Sequence, residues 1–113
     1  MREALFELLE VAGLSPRAFA SAAAFLADYE PGSADLVITD VRMPGIDGLE
    51  LQERLRAVAP TLPVVFITGS SDPDTQRRAM AAGAYAYLSK PFGDVDLMGT
   101  LWSALAGQAP PGA

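Results

Sequence analysis

The 113-residue chain contains neither cysteine nor histidine. Without thiols there is no disulfide framework, thiolate nucleophile, zinc knuckle or iron–sulfur ligation. Without imidazole, histidine-based acid–base catalysis, His-containing triads and nearly all His-ligated metals drop out as well. Chemistry is left to carboxylates, hydroxyls, lysine and oxygen-ligated cations. Cations are themselves scarce: 8 Lys and Arg stand against 14 Asp and Glu, a net charge of −6. That balance disfavours direct nucleic-acid binding, because a phosphate backbone requires clustered positive charge. No apolar run approaches the ~18 residues of a membrane span. The opening stretch MREALFELLEVAGL carries three glutamates and so lacks the unbroken apolar centre of a secretory signal. A cytoplasmic protein without membrane contact is expected.

Half of the residues are hydrophobic and 19% are charged, which is globular rather than disordered composition. The length suits one domain able to bury most of its apolar surface. Residues 1–106 read as that domain, and 107–113 (GQAPPGA) as a linker-like tail.

Over residues 1–12, Leu5, Leu8, Leu9 and Ala12 recur at helical spacing, and Gly13 is placed to cap the helix. Residues 14–20 (LSPRAFA) read as a short strand, at an edge because Pro16 cannot donate to a ladder. Ser21 is a suitable N-cap for a short helix over 22–28, packing through Phe25 and Leu26 and ended by Pro31, Gly32 and Ser33. Residues 35–40 (DLVITD) form the near-continuous branched run of a strand buried on both faces.

After the turn sequence MPGIDG, residues 49–58 place Leu51, Leu55 and Val58 on one helical face, with Pro60 as the stop. Residues 63–68 (PVVFIT) repeat the strand pattern and end in a hydroxyl. A helix is predicted over 73–82, with Asp72 as N-cap, Pro73 at its first position and Gly83 beyond its end. A third strand over 84–88 runs directly into Ser89 and Lys90. The last helix, 92–105, is predicted with Asp94 as cap and Val95, Met98, Leu101, Trp102 and Leu105 as its buried stripe; Phe92 is assigned to packing. This alternation predicts an α/β three-layer sandwich around a parallel sheet of four strands with five helices.

In an open parallel sheet, ligands bind beyond the carboxyl ends of the strands. Three successive strands here end in Asp40, Thr68 and Lys90. Side by side, they bring a carboxylate, a hydroxyl and an ammonium to one shallow cleft. An aspartate can take a phosphoryl group as an acyl phosphate. Cationic and hydrogen-bonding groups must then meet the equatorial oxygens, whose charge resists the attack. Taken singly, each residue has a plainer reading: Asp40 as a turn or cap residue, Thr68 as a β-former, Lys90 as a solvated surface charge.

The stretches VITDVRMPGIDG (37–48), VVFITG (64–69) and GAYAYLSKPF (83–92) resemble the response-regulator receiver domains of two-component signalling. SAAAFL (21–26) and Asp72 after TGSS resemble the FixJ-like subgroup in particular. The resemblance spans nearly the whole chain and implies a flavodoxin-like (CheY-like) fold. It implies Asp40 as phosphoacceptor, Thr68 as the switch hydroxyl, Lys90 as the lysine pairing with the phosphoryl group, and Tyr87 as the aromatic switch. Tyr87 equally suits a simple core aromatic. The backbone carbonyl of Arg42 stands where the family supplies a ligand to Mg²⁺, and Lys90-Pro91 where it carries a cis peptide. A sensor histidine kinase is implied as donor and partner. A homodimer surface is implied on the last helices, although Arg77 and Arg78 alone read as solvated helix charges.

Receivers open with an apolar strand and an acidic pair that holds the cation, whereas here the first helix starts at Met1. That strand and pair are absent, and Mg²⁺ affinity is expected to be poor with only Asp40 and a carbonyl left. The absence leaves a second reading, a degenerate receiver that docks or dimerises independently of phosphorylation. An enzyme of the haloacid-dehalogenase type is disfavoured, because the general acid of that class, two residues after the nucleophile, is replaced by Arg42. No enzymatic turnover is expected.

Overall fold

The computed structural model describes residues 2–19, 21–30, 32, 34–40, 48–68, 73–89 and 93–107, apart from the side chains of residues 2–5, 94 and 95. Among the described residues five helices and three strands are formed, in the order α1 (Arg2–Val11), α2 (Ala22–Asp28), β1 (Val37–Thr39), α3 (Gly48–Val58), β2 (Val64–Thr68), α4 (Pro73–Ala81), β3 (Ala86–Ser89) and α5 (Asp94–Leu105). The strands pair in parallel in the order β1-β2-β3. Val37 lies opposite Val64 and Thr39 opposite Phe66, while Phe66 lies opposite Tyr87 and Thr68 opposite Ser89.

Alternation along these strands divides the core in two. Val37, Val64, Phe66 and Tyr87 pack with Ala22, Leu51, Leu55 and Ala79 of α2, α3 and α4. Ile38, Val65, Ala86 and Leu88 pack with Leu9 of α1 and with Leu97 and Leu101 of α5. The sheet is thus covered on both faces, as the unbroken apolar runs of its strands require. All five residues of β2 are buried, and β2 is the middle strand.

Local signals settle several boundaries. The Ser21 side chain accepts a 3.1 Å bond from the Ala24 N–H, opening α2 as a cap should. Helices α1 and α4 both close through a left-handed glycine, Gly13 with φ +89° and Gly83 with φ +104°. In each case the glycine and the following residue return their N–H groups to the last turn, Gly13 to Glu10 and Leu14 to Leu9, Gly83 to Met80 and Ala84 to Ala79.

Three expectations are corrected. The sheet has three strands among the described residues instead of four: residues 14–19 run without a ladder. Pro16 has no N–H to give, and no described strand pairs with this segment. The segment is instead tied down by side chains, with Arg17 2.8 Å from Asp28 and Phe19 edge-on to Phe25.

The cap of α5 is Gly93, in extended backbone and with no side-chain cap bond, so Asp94 is the first helical residue. The buried stripe of α5 is Leu97, Leu101 and Ala104, with Thr100 beside it, whereas Trp102 is 47% exposed. Spacings of four and three from Leu97 set that face, and Trp102 lies about 100° past Leu101. Thr100 is tolerated in the interior because its hydroxyl donates to the Asp96 carbonyl at 2.9 Å.

Candidate functional site

The carboxyl ends of the three parallel strands lie along one edge of the sheet, and Asp40 and Thr68 stand there in strand order. Asp40 is half-buried and directly follows β1. Thr68 ends β2 and is 4% exposed. Since Thr39 pairs with Phe66, Asp40 stands one register step short of Thr68 on the adjacent strand. With strands about 4.8 Å apart and about 3.3 Å per residue, their Cα atoms are on the order of 6 Å apart. Ser89 is the register partner of Thr68 and directly precedes Lys90. Lys90, Arg42, Asp72, Pro91 and Phe92 lie outside the described residues.

Each of these positions has a local cause. The Thr39 hydroxyl donates to the Asp40 carbonyl at 3.0 Å, which holds the main chain where it leaves the strand. Register partners in a parallel pair point to the same face, so Phe66, Thr68, Tyr87 and Ser89 share the face covered by α3 and α4. Tyr87 is half-buried and its ring lies 6.2 Å from that of Phe66, tilted by 41°. Thr68 and Tyr87 are therefore on one face, two register steps from the strand ends to the ring contact. Ser89 is not among the site residues expected from the sequence; its signal there is a hydroxyl closing the third apolar run.

A cleft of about 780 Å³ is lined by β1, Ile67 of β2, residues 14–19 and parts of α1, α2, α3 and α5, and it reaches Asp40. Among the described residues no group of three or more acidic side chains is gathered to hold a metal ion. A hard cation needs several oxygen ligands; of those the sequence resemblance implies for Mg²⁺, Asp40 is described and Arg42 lies outside the described residues. No described helix is long and apolar enough to cross a membrane.

Comparison with known proteins gives consistent matches over this whole framework. A family model of the response regulator receiver domain matches residues 1–101. The transcriptional regulatory protein FixJ of Bradyrhizobium diazoefficiens is 43% identical over 114 aligned residues, covering 100% of this chain and 55% of that protein. The solved response regulator StyR superposes with a TM-score of 0.84 at 40% identity, over 94% of this chain and 54% of StyR. A solved receiver domain protein from Clostridium thermocellum superposes with a TM-score of 0.83 at 30% identity, over 92% of this chain and 84% of its own. The chain spans about half the length of the curated relatives it matches.

Proposed function

Because the chain belongs to the response regulator receiver domain family, we propose that Asp40 accepts a phosphoryl group from a histidine kinase and that Thr68 and Tyr87 transmit its arrival. The observation that carries this reading is the placement of Asp40 and Thr68 at the carboxyl ends of adjacent parallel strands, with Tyr87 on the same face as Thr68. That edge is where open α/β sheets present ligands.

In the proposed step a carboxylate oxygen of Asp40 attacks phosphorus, the bond from phosphorus to the donor breaks, and an acyl phosphate forms. The chain has no histidine, so the donor is another molecule. The buried Thr68 hydroxyl donates to a phosphoryl oxygen, and Lys90 supplies the positive charge. Drawing Thr68 towards the phosphoryl group alters the face that Tyr87 occupies, and the output is read from that face and the last helices, which also carry the homodimer surface. The chain is an acceptor and not an enzyme: it turns over no substrate beyond its own acyl phosphate. Its place is the cytoplasm, beside the kinase.

The test is intact-mass measurement after incubation with acetyl phosphate and Mg²⁺, on the native chain and on Asp40→Asn. The reading expects the mass of one phosphoryl group on the native chain and none on the variant. A native chain that gains no phosphoryl group, or an Asp40→Asn chain that gains one equally well, overturns it.

A further inference from the structure

Helix α4 is fastened firmly at its far end and lightly elsewhere. Of its nine residues only Ala79 is buried; residues 73, 74 and 76–78 are exposed, and the Asp74–Arg77 ion pair is internal to the helix. At the far end, the Arg56 guanidinium of α3 donates to the Ala82 carbonyl and lies against Gly83. The left-handed closure through Gly83 and Ala84 fixes the same end. Its other end, Pro73, follows Thr68 by five residues.

Helices α3 and α4 each run back from the carboxyl end of the strand before it, so they lie alongside each other in one direction. The Arg56–Ala82 bond sets their relative level. Gln52 stands on the same face of α3 as Arg56, one turn or about 6 Å nearer the helix start. On α4, Ala79 and Thr75 share the face of Ala82, about 4.5 and 10.5 Å before it. Helical side chains lean towards the N-terminus, so the Gln52 amide is directed at the stretch between Ala79 and Thr75. It is buried, and both of its polar atoms lack a hydrogen-bond partner among the described residues. An amide so placed is costly to leave unmet, and Ala79 offers it no polar group. Thr75, half-buried, carries the hydroxyl of that face, with other interactions in the present arrangement.

We propose that α4 is a hinged element with two seats on α3, and that Gln52 is its latch: in the second seat the start of α4 has swung in about the Arg56 tie and the Thr75 hydroxyl bonds the Gln52 amide. The use of this hinge to relay phosphoryl arrival rests on the role proposed above for Thr68; the hinge itself does not.

It is tested on the full 113-residue chain, which has no cysteine of its own. A Gln52→Cys and Thr75→Cys pair closes as a disulfide only when the two Cα atoms come within about 7 Å. A Gln52→Cys and Arg78→Cys pair puts the second thiol at an exposed position of α4. In a glutathione buffer the first pair is expected to cross-link about ten times faster than the second, or more. In the native chain, ¹⁵N relaxation dispersion, which reports microsecond to millisecond exchange, is expected over residues 74–78 and not over 82–84. It is expected to vanish in Thr75→Val and to persist in Thr75→Ser. Equal cross-linking rates, no dispersion over 74–78, dispersion as strong over 82–84, or dispersion unchanged in Thr75→Val each overturns it. None of these readouts involves phosphoryl uptake, so their failure leaves the reading of Asp40 to the intact-mass measurement.

Discussion

Tyr87 rests its ring against that of Phe66, centroids 6.2 Å apart, and the two residues are direct register partners on β3 and β2. Two positions along from Phe66 on the same face is Thr68. One ring contact thus links Tyr87 to the strand that Thr68 ends, the route that the proposed readout at that tyrosine requires. Tyr87→Phe preserves the ring pair and is expected to change stability by less than about 0.5 kcal/mol. Tyr87→Ala loses the pair, about 0.5–1.5 kcal/mol beyond the lost burial. Urea midpoints of the three chains, taken with the ¹⁵N spectrum of each before and after beryllofluoride, check both the packing and the readout.

Thr68 separates the hydroxyl from the strand it ends. It is buried at 4% exposure, so a valine fits the space while removing the donor. Thr68→Val is expected to slow phosphoryl uptake from acetyl phosphate by about a hundredfold, the lower end of the scale of losing one oxyanion donor. Thr68→Ser restores most of it. Uptake followed by intact mass over time distinguishes the two; equal rates in all three chains would remove the hydroxyl from the proposed site.

Gln52 is 1% exposed on the core side of α3, and both polar atoms of its amide lack a hydrogen-bond partner among the described residues. A buried, unmet amide costs about 1–3 kcal/mol, and an apolar side chain of similar size avoids it. Gln52→Leu is expected to raise the urea midpoint by a stability gain of that order, leaving the slope of the transition unchanged. A loss of stability would show that the amide is paired in solution.

Gly83 closes α4 with φ +104°, and a Cβ there would meet the Arg56 guanidinium at an ordinary 3.5 Å. The same guanidinium donates to the Ala82 carbonyl at 2.5 Å, tying α3 to the end of α4. Space is therefore not the obstacle to substitution; backbone strain is. Gly83→Ala is expected to cost about 1–2 kcal/mol. Gly13→Ala, at φ +89° with nothing within 4 Å, is expected to cost a similar amount. Chemical denaturation of both variants checks this, and a much larger loss at Gly83 alone would point to disruption of the Arg56 tie.

Elements whose causes are local were legible. Ser21 heads α2 because its side chain meets an N–H three residues on, and Gly13 and Gly83 end their helices because the left-handed turn favours residues without a Cβ. The runs 35–40 and 63–68 declared buried strands, formed over Val37–Thr39 and Val64–Thr68. Where the reading missed, the deciding contact lay elsewhere in the chain. Trp102 carries the apolar bulk of a core residue, yet the phase of α5 against the sheet puts Leu97, Leu101 and Ala104 inward. Residues 14–19 have strand composition, but a strand exists only where a neighbour meets its main chain.

Residue types alone excluded thiol and imidazole chemistry, and the order of apolar runs, turns and caps determined an α/β sandwich with polar residues closing its strands. Those are properties of single side chains and their near neighbours, which a linear string carries in full. Strand pairing was decided only in three dimensions: which residues of β1, β2 and β3 stand opposite one another, that Thr68 and Tyr87 share a face, and that β1 lines a cleft reaching Asp40. Pairing joins residues tens of positions apart, and its outcome depends on which main chains are there to meet.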